Sequence, residues 1–288
     1  MKTRIFSIIS CFICFWPIIS YTQGAVESDA QEAFPYKLSE PSARYDLPEI
    51  LEEVSALCHQ DDKHLAMIQD ELGRLYIFDR IQKKLVKEYY FRDHGDFEGV
   101  TLVGNTAYVL RSDGHIYELK EYASEEIVIN KYKTFLSSEN DAEGLCYDAD
   151  NHRLLVACKS SPSYTDHSYK GNRAIYAFDL KTYQLTEEPC LLIDRKIIAD
   201  KMGNPKQNFK PSGIAIHPIS GDIYMTASSG QLLVVIDRNA RIKWVKKLEK
   251  SIFRQPEGIC FAPDGTMFIA SEGVGEAGYV LEFRLIDG

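Results

Sequence analysis

The stretch DFEGVTLVGN (Asp96–Asn105) begins with two acids and a glycine and continues as a short apolar strand. Openings of the same kind recur along the chain, at EVSAL (Glu53–Leu57), DAEGLCYDAD (Asp141–Asp150), KPSGIAIHPISG (Lys210–Gly221) and QPEGICFAPDG (Gln255–Gly265). Aligned on Glu53, Glu98, Glu143, Ser212 and Glu257, they are separated by 45, 45, 69 and 45 residues. The long interval is one period plus 24 inserted residues. A period of about 45 residues is typical of a four-stranded propeller blade.

Each period contains short alternating strands separated by turn residues, with no helical stretch of note. The last period runs out at Gly288 before its outer strand, and an open edge would leave backbone groups unpaired. The segment FPYKLSE (Phe34–Glu40) can fill that place. The sequence therefore predicts an all-β fold, a single five-bladed β-propeller of four-stranded antiparallel blades over residues 34–288, closed by an N-terminal strand. The alternative, a six-bladed ring, needs a further unit between Tyr183 and Lys210, where the motif is absent.

The first 24 residues are predicted to be a signal peptide, followed by a short linker at residues 25–33. Lys2 and Arg4 precede the apolar run Ile5–Ile19, which at 15 residues is too short to span a bilayer as a helix. We therefore expect an exported protein, periplasmic or associated with the cell envelope, with no transmembrane span in the mature chain. A lipid anchor at Cys11 is the alternative.

The composition narrows the choice of partners. Without Lys2 and Arg4, 31 basic residues face 42 acidic ones, a formal net charge of −11. This charge argues against a nucleic acid or an anionic membrane as partner and suits a cation or a neutral ligand. Five cysteines remain beyond the signal peptide, without a CxxC pair, and we interpret them as small buried residues.

Propeller topology places the acids on one face. In a four-stranded meander all inner strands start at the same face, so Glu53, Glu98, Glu143 and Glu257 are expected to surround one end of the central channel. Further residues expected on this face are Asp70 and Glu272, which end second strands, and Ser212, where the ring of acids is interrupted. The inserted segments Ser161–Arg173 and Asp194–Lys210 form long connections on the same face, and long loops in compact domains are often functional.

Several carboxylates this close together do not all stay ionised without a counter-charge or strong hydrogen bonds, because two unit charges at roughly 4 Å interact by about 4 kcal/mol near the surface. One solution is a hard cation with oxygen ligands, most plausibly Ca²⁺. The other is purely structural, with each glutamate accepting hydrogen bonds from backbone N–H groups of a neighbouring blade. The spacing alone leaves both open.

The repeated EGV, EGL and EGI starts, the EVSAL opening and the closing FIASEG (Phe268–Gly273) resemble the SdiA-regulated, YjiK-like proteins. This family consists of exported bacterial five-bladed propellers that are distantly similar to NHL-repeat proteins. The resemblance implies a Ca²⁺ site, a place in the cell envelope and no established enzymatic activity. The metal site would map onto the matching acids, Glu53, Glu98, Glu143 and Glu257.

Two functions follow as hypotheses. The first is a non-catalytic envelope propeller that binds Ca²⁺ at the channel face and presents loops to an unknown ligand or envelope protein. The second is a Ca²⁺-dependent hydrolase of the lactonase or phosphoesterase type, for which Asp166 and His167 in the long loop would supply the base. The sequence has no GxSxG, HExxH or P-loop motif, which favours the first hypothesis.

Overall fold

The computed structural model describes residues 33–162 and 169–286, and this part of the chain contains five small antiparallel sheets. The predicted signal peptide, nearly all of the linker, and the loop residues Asp166 and His167 lie outside the described residues. Residues Pro35–Gly288 form one compact unit. The inner strands contact one another in a closed cycle, so the sheets are the five blades of a β-propeller, as predicted.

The first strand, β1, spans Ala43–Asp46 and is followed by a 3-10 turn at Glu49–Leu51. Blade 1 consists of β2 (Val54–His59), β3 (His64–Gln69), β4 (Leu72–Asp79) and β5 (Lys84–His94). Blade 2 consists of β6 (Phe97–Val103), β7 (Thr106–Arg111), β8 (Ile116–Lys120) and β9 (Val128–Tyr132). Blade 3 consists of β10 (Ala142–Asp148), β11 (Arg153–Cys158) and β12 (Asn172–Asp179), with two short strands, β13 (Gln184–Leu185) and β14 (Leu191–Asp194), both paired with β12.

Blade 4 consists of β15 (Gly213–Ile216), β16 (Ile223–Ala227), β17 (Leu232–Ile236) and β18 (Ile242–Lys247). Blade 5 consists of β19 (Pro256–Phe261), β20 (Met267–Ser271) and β21 (Tyr279–Phe283), and β1 completes it. The segment 183–210 holds β13, β14 and the single α-helix of the described residues, α1 (Arg195–Lys201). It adds no sheet of its own, so the six-bladed alternative is wrong.

The ring is closed by β1, and the prediction that Phe34–Glu40 supplies the closing strand was wrong. β1 pairs with β21 from Ala43↔Glu282 to Asp46↔Tyr279, whereas Phe34–Glu40 forms no strand. Instead Tyr36 is buried between blades 4 and 5, where its hydroxyl donates to the Gly265 carbonyl (2.6 Å). Pro35 lies within this stretch and Pro41 directly follows it, and proline lacks the N–H that a strand ladder needs.

Each blade packs its side chains against the next. Cys58, Cys146, Cys158 and Cys260 are buried, Cys190 is half-buried, and all five are free thiols. Burial raises the pKa of the Cys58 thiol to about 12. The interpretation of these cysteines as packing residues is confirmed.

The repeated glycines lie where neighbouring inner strands approach most closely. A Cβ on Gly99 would lie 2.6 Å from the Leu145 Cβ, and one on Gly213 would lie 2.6 Å from the Glu257 carbonyl oxygen. Both distances are too short for a real contact. The glycine of the motif is therefore required by packing between blades.

We expect Gly213→Ala to lower the free energy of unfolding by about 1–3 kcal/mol, because the added methyl group meets backbone that cannot move aside. Ala56 occupies the equivalent position of blade 1, and the reverse change Ala56→Gly should cost only about 0.5–1 kcal/mol. Urea denaturation measures both values. A Gly213→Ala cost no larger than that of the control would contradict the packing explanation.

Candidate functional site

The predicted acids Glu98, Glu143 and Glu257 each lie at a β-bulge near the start of an inner strand. Phe97 pairs with Arg111 and Gly99 with Leu110, so Glu98 is the extra residue of β6. The same register shift occurs in β10 and β19. A bulge turns a side chain out of the regular alternation, which is how the sheet edge aims these carboxylates.

In blade 1 the bulged residue is Ser55, not Glu53. Val54 pairs with Gln69 and Ala56 with Ile68, which leaves Ser55 as the extra residue. The Ser55 hydroxyl donates to the Phe97 carbonyl (2.7 Å), just as the Ser212 hydroxyl donates to the Pro256 carbonyl (2.8 Å). The alignment of Glu53 with Glu98 was therefore wrong by two residues, and Glu53 lies exposed just before β2.

A second set of five side chains follows the second strand of each blade. Each of them comes directly after the last residue of that strand. They are Asp70, Ser112, Lys159, Ser228 and Glu272. We call the end of the channel that carries the bulge residues and this second set the acid face. Asp70 and Glu272 lie where they were predicted, directly after β3 and β20. Lys159 is the residue that the sequence analysis missed.

Lys159 is the counter-charge of the acid face. Its ammonium group forms an ion pair with Glu143, whose side chain is 5% exposed. Burial by itself lowers the pKa of Lys159, but Glu143, Glu257 and Asp141 outweigh burial and raise the pKa above its usual value. Burial also raises the pKa of Glu257 well above the usual range, and Glu272 and Glu143 add to this effect. Lys159 therefore faces carboxylates from blades 3 and 5 together.

Glu98 is neutralised in a different way. Burial raises the pKa of Glu98 far above that of a free glutamate, and the negative charges of Glu143 and Asp96 raise it further. A hydrogen bond with Asp96 acts in the same direction, so the protonated Glu98 carboxyl donates to the Asp96 carboxylate. Asp96 also accepts from the Ser112 hydroxyl. The folded protein therefore favours the protonated form of Glu98.

The third group of acids lies between blades 1 and 5. Burial raises the pKa of Asp70 to about 6 and the charge of Glu53 adds to this effect, whereas hydrogen bonds from the backbone of Glu71 and of Asp70 itself lower the pKa. Burial likewise raises the pKa of Glu272 to about 7, with Asp70 and Glu53 as the next causes. The Asp70 Oδ1 atom is buried and has no hydrogen-bond partner among the described residues. Glu53, Asp70 and Glu272 are thus electrostatic neighbours, and one carboxylate oxygen is left without a partner.

The channel is narrow below the acids. The space between the inner strands at Glu98 and Glu143 amounts to about 10 Å³, and apolar side chains of the inner strands line it. A separate cavity of about 280 Å³ opens at the far end of the channel, lined by residues such as Leu102, Tyr147 and Phe261. The carboxylates are therefore accessible from the acid face and not through the channel.

The sequence matches the family model described as SdiA-regulated over residues 36–274, which is most of the chain. The chain belongs to the SdiA-regulated family. Among curated proteins the sequence has no significant match. The family fits the five blades and the acid–glycine starts on which the resemblance rests.

Solved structures show the same fold at low identity. Glutaminyl cyclase from Myxococcus xanthus is 15% identical with a TM-score of 0.57, over 86% of this chain and 97% of that one. A luciferin-regenerating enzyme is 13% identical with a TM-score of 0.50, over 85% of this chain and 95% of that one. At these identities the likeness shows that the SdiA-regulated chain is a propeller, and it carries no activity over.

The three glutamates do not form the hydrogen bonds that the purely structural alternative requires. Their partners in the described part of the chain are the side chains of Asp96, Lys159 and Ser228, rather than backbone N–H groups of a neighbouring blade. The hydroxyl groups of Ser55, Ser212 and Thr226 instead join one blade to the carbonyls of the next. Serine and threonine hydroxyl groups thus connect neighbouring blades, whereas the three glutamates interact with side chains of the acid face.

Over residues 33–162 and 169–286, no three His, Cys, Asp or Glu side chains stand close enough together to hold a metal ion as they are. A cation would therefore have to draw the carboxylates together. No helix in this part of the chain is long and apolar enough to cross a membrane.

Proposed function

We propose that this SdiA-regulated propeller is a non-catalytic protein of the cell envelope that binds Ca²⁺ on its acid face. The loops of that face would then meet a ligand or protein partner. The N-terminal sequence supports export, through its two basic residues, its apolar run of 15 residues and the small residues Thr22 and Gly24. The acid face supports a cation, because five of its ten ring positions are acidic and one is basic.

The observation that carries the proposal is the unpartnered Asp70 Oδ1. Burying a carboxylate oxygen without a hydrogen bond costs folding free energy, so we expect this atom to have a partner in the functional protein. Glu53 and Glu272 are its acidic neighbours, and the causes of its raised pKa put no basic group beside it. A bound cation would supply the missing partner and neutralise all three acids.

The donor chemistry fits Ca²⁺ better than zinc. Asp70, Glu53 and Glu272 offer only oxygen, and Ca²⁺ takes six to eight oxygen ligands with flexible geometry. Zn²⁺ prefers histidine and cysteine, which are absent from the ring positions. The exposed Glu53 side chain is free to move towards Asp70, so we assign these three residues as the proposed ligands. Of the other predicted ligands, Glu98 is engaged with Asp96 and Glu143 with Lys159, while Glu257 borders Glu272.

Ca²⁺ should raise the melting temperature of the metal-free protein. A ligand at 100 times its Kd stabilises the folded state by about 2.7 kcal/mol, which corresponds to roughly 5–10 °C for a chain of this size. The double variant Asp70→Asn/Glu272→Gln should lose this shift while remaining folded. Differential scanning calorimetry in chelator and in excess CaCl₂ measures both proteins.

Asp150→Asn provides the matched control, because Asp150 is an exposed acid in the turn between β10 and β11, at the opposite end of the channel from the acid face. Its response to Ca²⁺ should equal that of the unchanged protein. Equal ionic strength of NaCl should give a much smaller shift, since screening acts on all charges alike. A Ca²⁺ response that survives in Asp70→Asn/Glu272→Gln would rule out the assigned ligands, and no response in the unchanged protein would rule out the metal.

A further inference from the structure

The cavity of about 280 Å³ at the far end of the channel is called the apolar cup here, after the side chains that form its floor and wall. We infer that the apolar cup is a second ligand site, which binds one small uncharged molecule with an apolar body and a hydroxyl or carbonyl group beside His59. The cup lies at the opposite end of the channel from the acid face. The inference therefore goes beyond the proposed function and does not depend on Ca²⁺.

The floor of the apolar cup is formed by one side chain from each inner strand. All five are apolar and at most 5% exposed, and they are Leu57, Val100, Leu145, Ile214 and Ile259. The same five side chains also line the narrow space of about 10 Å³ next to the acid face. They separate the two ends of the channel, so the cup is closed below and open to the far face.

The wall of the cup comes from the residues two positions further along each inner strand, whose side chains point to the same side because a strand alternates. These residues are half-buried, and they are His59, Leu102, Tyr147, Ile216 and Phe261. In the part of the chain that the structure describes, no Asp, Glu, Lys or Arg side chain lines the cup. A concave, mainly apolar surface with few polar groups is typical of small-molecule sites.

The volume of the cup limits the size of its ligand. Ligand pockets begin at roughly 300 Å³, and an apolar cavity of roughly 150 Å³ holds one benzene ring. At about 280 Å³ the cup therefore suits a body of two fused rings. Tyr147 and Phe261 provide aromatic rings in the wall, against which such a body can pack.

His59 provides the polar contact. Its Nε2 atom is buried and has no hydrogen-bond partner among the described residues, which costs free energy. The Tyr147 hydroxyl, by contrast, already has a partner in His152 (3.0 Å). His59 also borders a polar cavity that Asp62 and Arg80 help to line. A ligand whose hydroxyl or carbonyl group faces the blade 1 side of the cup would give His59 its missing hydrogen bond.

The charge state of His59 favours an uncharged ligand. Burial and the positive charge of Arg80 lower the pKa of His59, and Asp61, Asp62 and Asp264 only partly oppose this effect. The imidazole is therefore neutral at pH 7.5. A charged ligand would lose its hydration in the cup without meeting an opposite charge there.

Isothermal titration with 1-naphthol at pH 7.5 tests the site, because this probe has two fused rings and one hydroxyl group. The unchanged protein should bind one molecule. Leu102→Trp fills the cup from its half-exposed wall and should abolish binding; Leu102→Phe replaces it if it does not fold. His59→Phe keeps the ring but removes its nitrogens, so it should weaken 1-naphthol binding roughly three- to tenfold. Binding of naphthalene, which has no hydroxyl group, should be nearly the same in His59→Phe and the unchanged protein.

The possible outcomes are distinct from those of the Ca²⁺ experiment. The acid-face variant Asp70→Asn/Glu272→Gln should bind 1-naphthol like the unchanged protein, with or without CaCl₂. No saturable binding to the unchanged protein, or full binding to folded Leu102→Trp, would overturn the inference and leave the proposed Ca²⁺ site untouched. Equal 1-naphthol affinity in His59→Phe would overturn the role of His59.

Discussion

Glu282→Ala should lower the free energy of unfolding by about 3–5 kcal/mol, the largest loss that we expect from a single substitution. Glu282 is 5% exposed and accepts hydrogen bonds from the Tyr45 hydroxyl (2.6 Å) and from Arg80 (3.1 Å). These partners come from β1 and blade 1, while Glu282 lies on β21. One carboxylate thus joins the closing strand, the last blade and the first blade.

The magnitude follows from what the substitution leaves behind. The Arg80 side chain is 13% exposed, and it also donates to the Asp62 carbonyl and lies over the Phe268 ring at 4.9 Å. Without Glu282 its charge stays enclosed but loses its carboxylate partner. Removing one member of a buried pair costs more than the pair contributes, because an uncompensated charge remains.

Three further variants resolve the contributions in urea denaturation. Tyr45→Phe removes one hydroxyl and should cost about 1–2 kcal/mol. Glu282→Gln retains acceptor oxygen without the charge and should fall between Tyr45→Phe and Glu282→Ala. Asp200→Ala breaks the exposed Lys196–Asp200 pair and should change stability by less than about 1 kcal/mol. A Glu282→Ala loss as small as that of Asp200→Ala would mean that this network does not close the ring.

Glu98→Gln should make the metal-free protein more stable than the unchanged protein at pH 8, although the two should be nearly equal at pH 4. Burial and neighbouring acids raise the pKa of Glu98 in the folded state, whereas in the unfolded chain it is about 4.3. Between these two values the folded state holds a proton that the unfolded state has released. The stability from this group is therefore complete below about pH 4.3 and is lost as the pH rises towards the folded pKa.

Glutamine resembles the protonated carboxyl and does not titrate. The difference in unfolding free energy between Glu98→Gln and the unchanged protein should therefore grow by on the order of 2–4 kcal/mol from pH 5 to pH 8, at up to about 1.4 kcal/mol per pH unit. Comparing two proteins that share all other titrating groups removes the contributions of histidines and thiols. Urea denaturation in chelator at several pH values measures the difference. A constant difference would show that Glu98 is ionised in the folded protein.

The fold was predictable because the motif that opens each inner strand recurs at a nearly constant spacing. Five openings at near-constant spacing specify five inner strands, and the glycine of the motif reports how closely those strands approach. The register of blade 1 was not predictable, since EVSAL offers Glu53 and Ser55 as equally plausible counterparts of Glu98. Only strand pairing shows which residue is bulged. Phe34–Glu40 was predicted as the closing strand in place of β1, because both segments mix apolar and polar residues. The buried contacts of Tyr36, which only the structure shows, decide between the two segments.

Local and distant interactions explain the remaining differences. The helix α1 begins after Asp194, whose side chain accepts from the Lys196 N–H (2.7 Å), and Ile198 is buried against blades 3 and 4. No helix was predicted at DRKIIADK, because seven residues are too few to stand out among strands, although aspartate is a favoured N-cap residue. Lys159 follows the second strand of its blade, as Asp70 and Glu272 do, so the rule that located those two acids would also have located Lys159; its ion pair with Glu143 depends on side-chain positions that the sequence does not give.

The most direct test of the cation site is a crystal structure of the mature chain grown in excess CaCl₂. We expect one ion at about 2.3–2.6 Å from a carboxylate oxygen of Asp70, with Glu272 and Glu53 turned towards it and Lys159 still paired with Glu143. An acid face without an ion, in crystals that hold Ca²⁺ elsewhere, would contradict the account. So would an ion bound between Glu98 and Glu143 with Lys159 displaced.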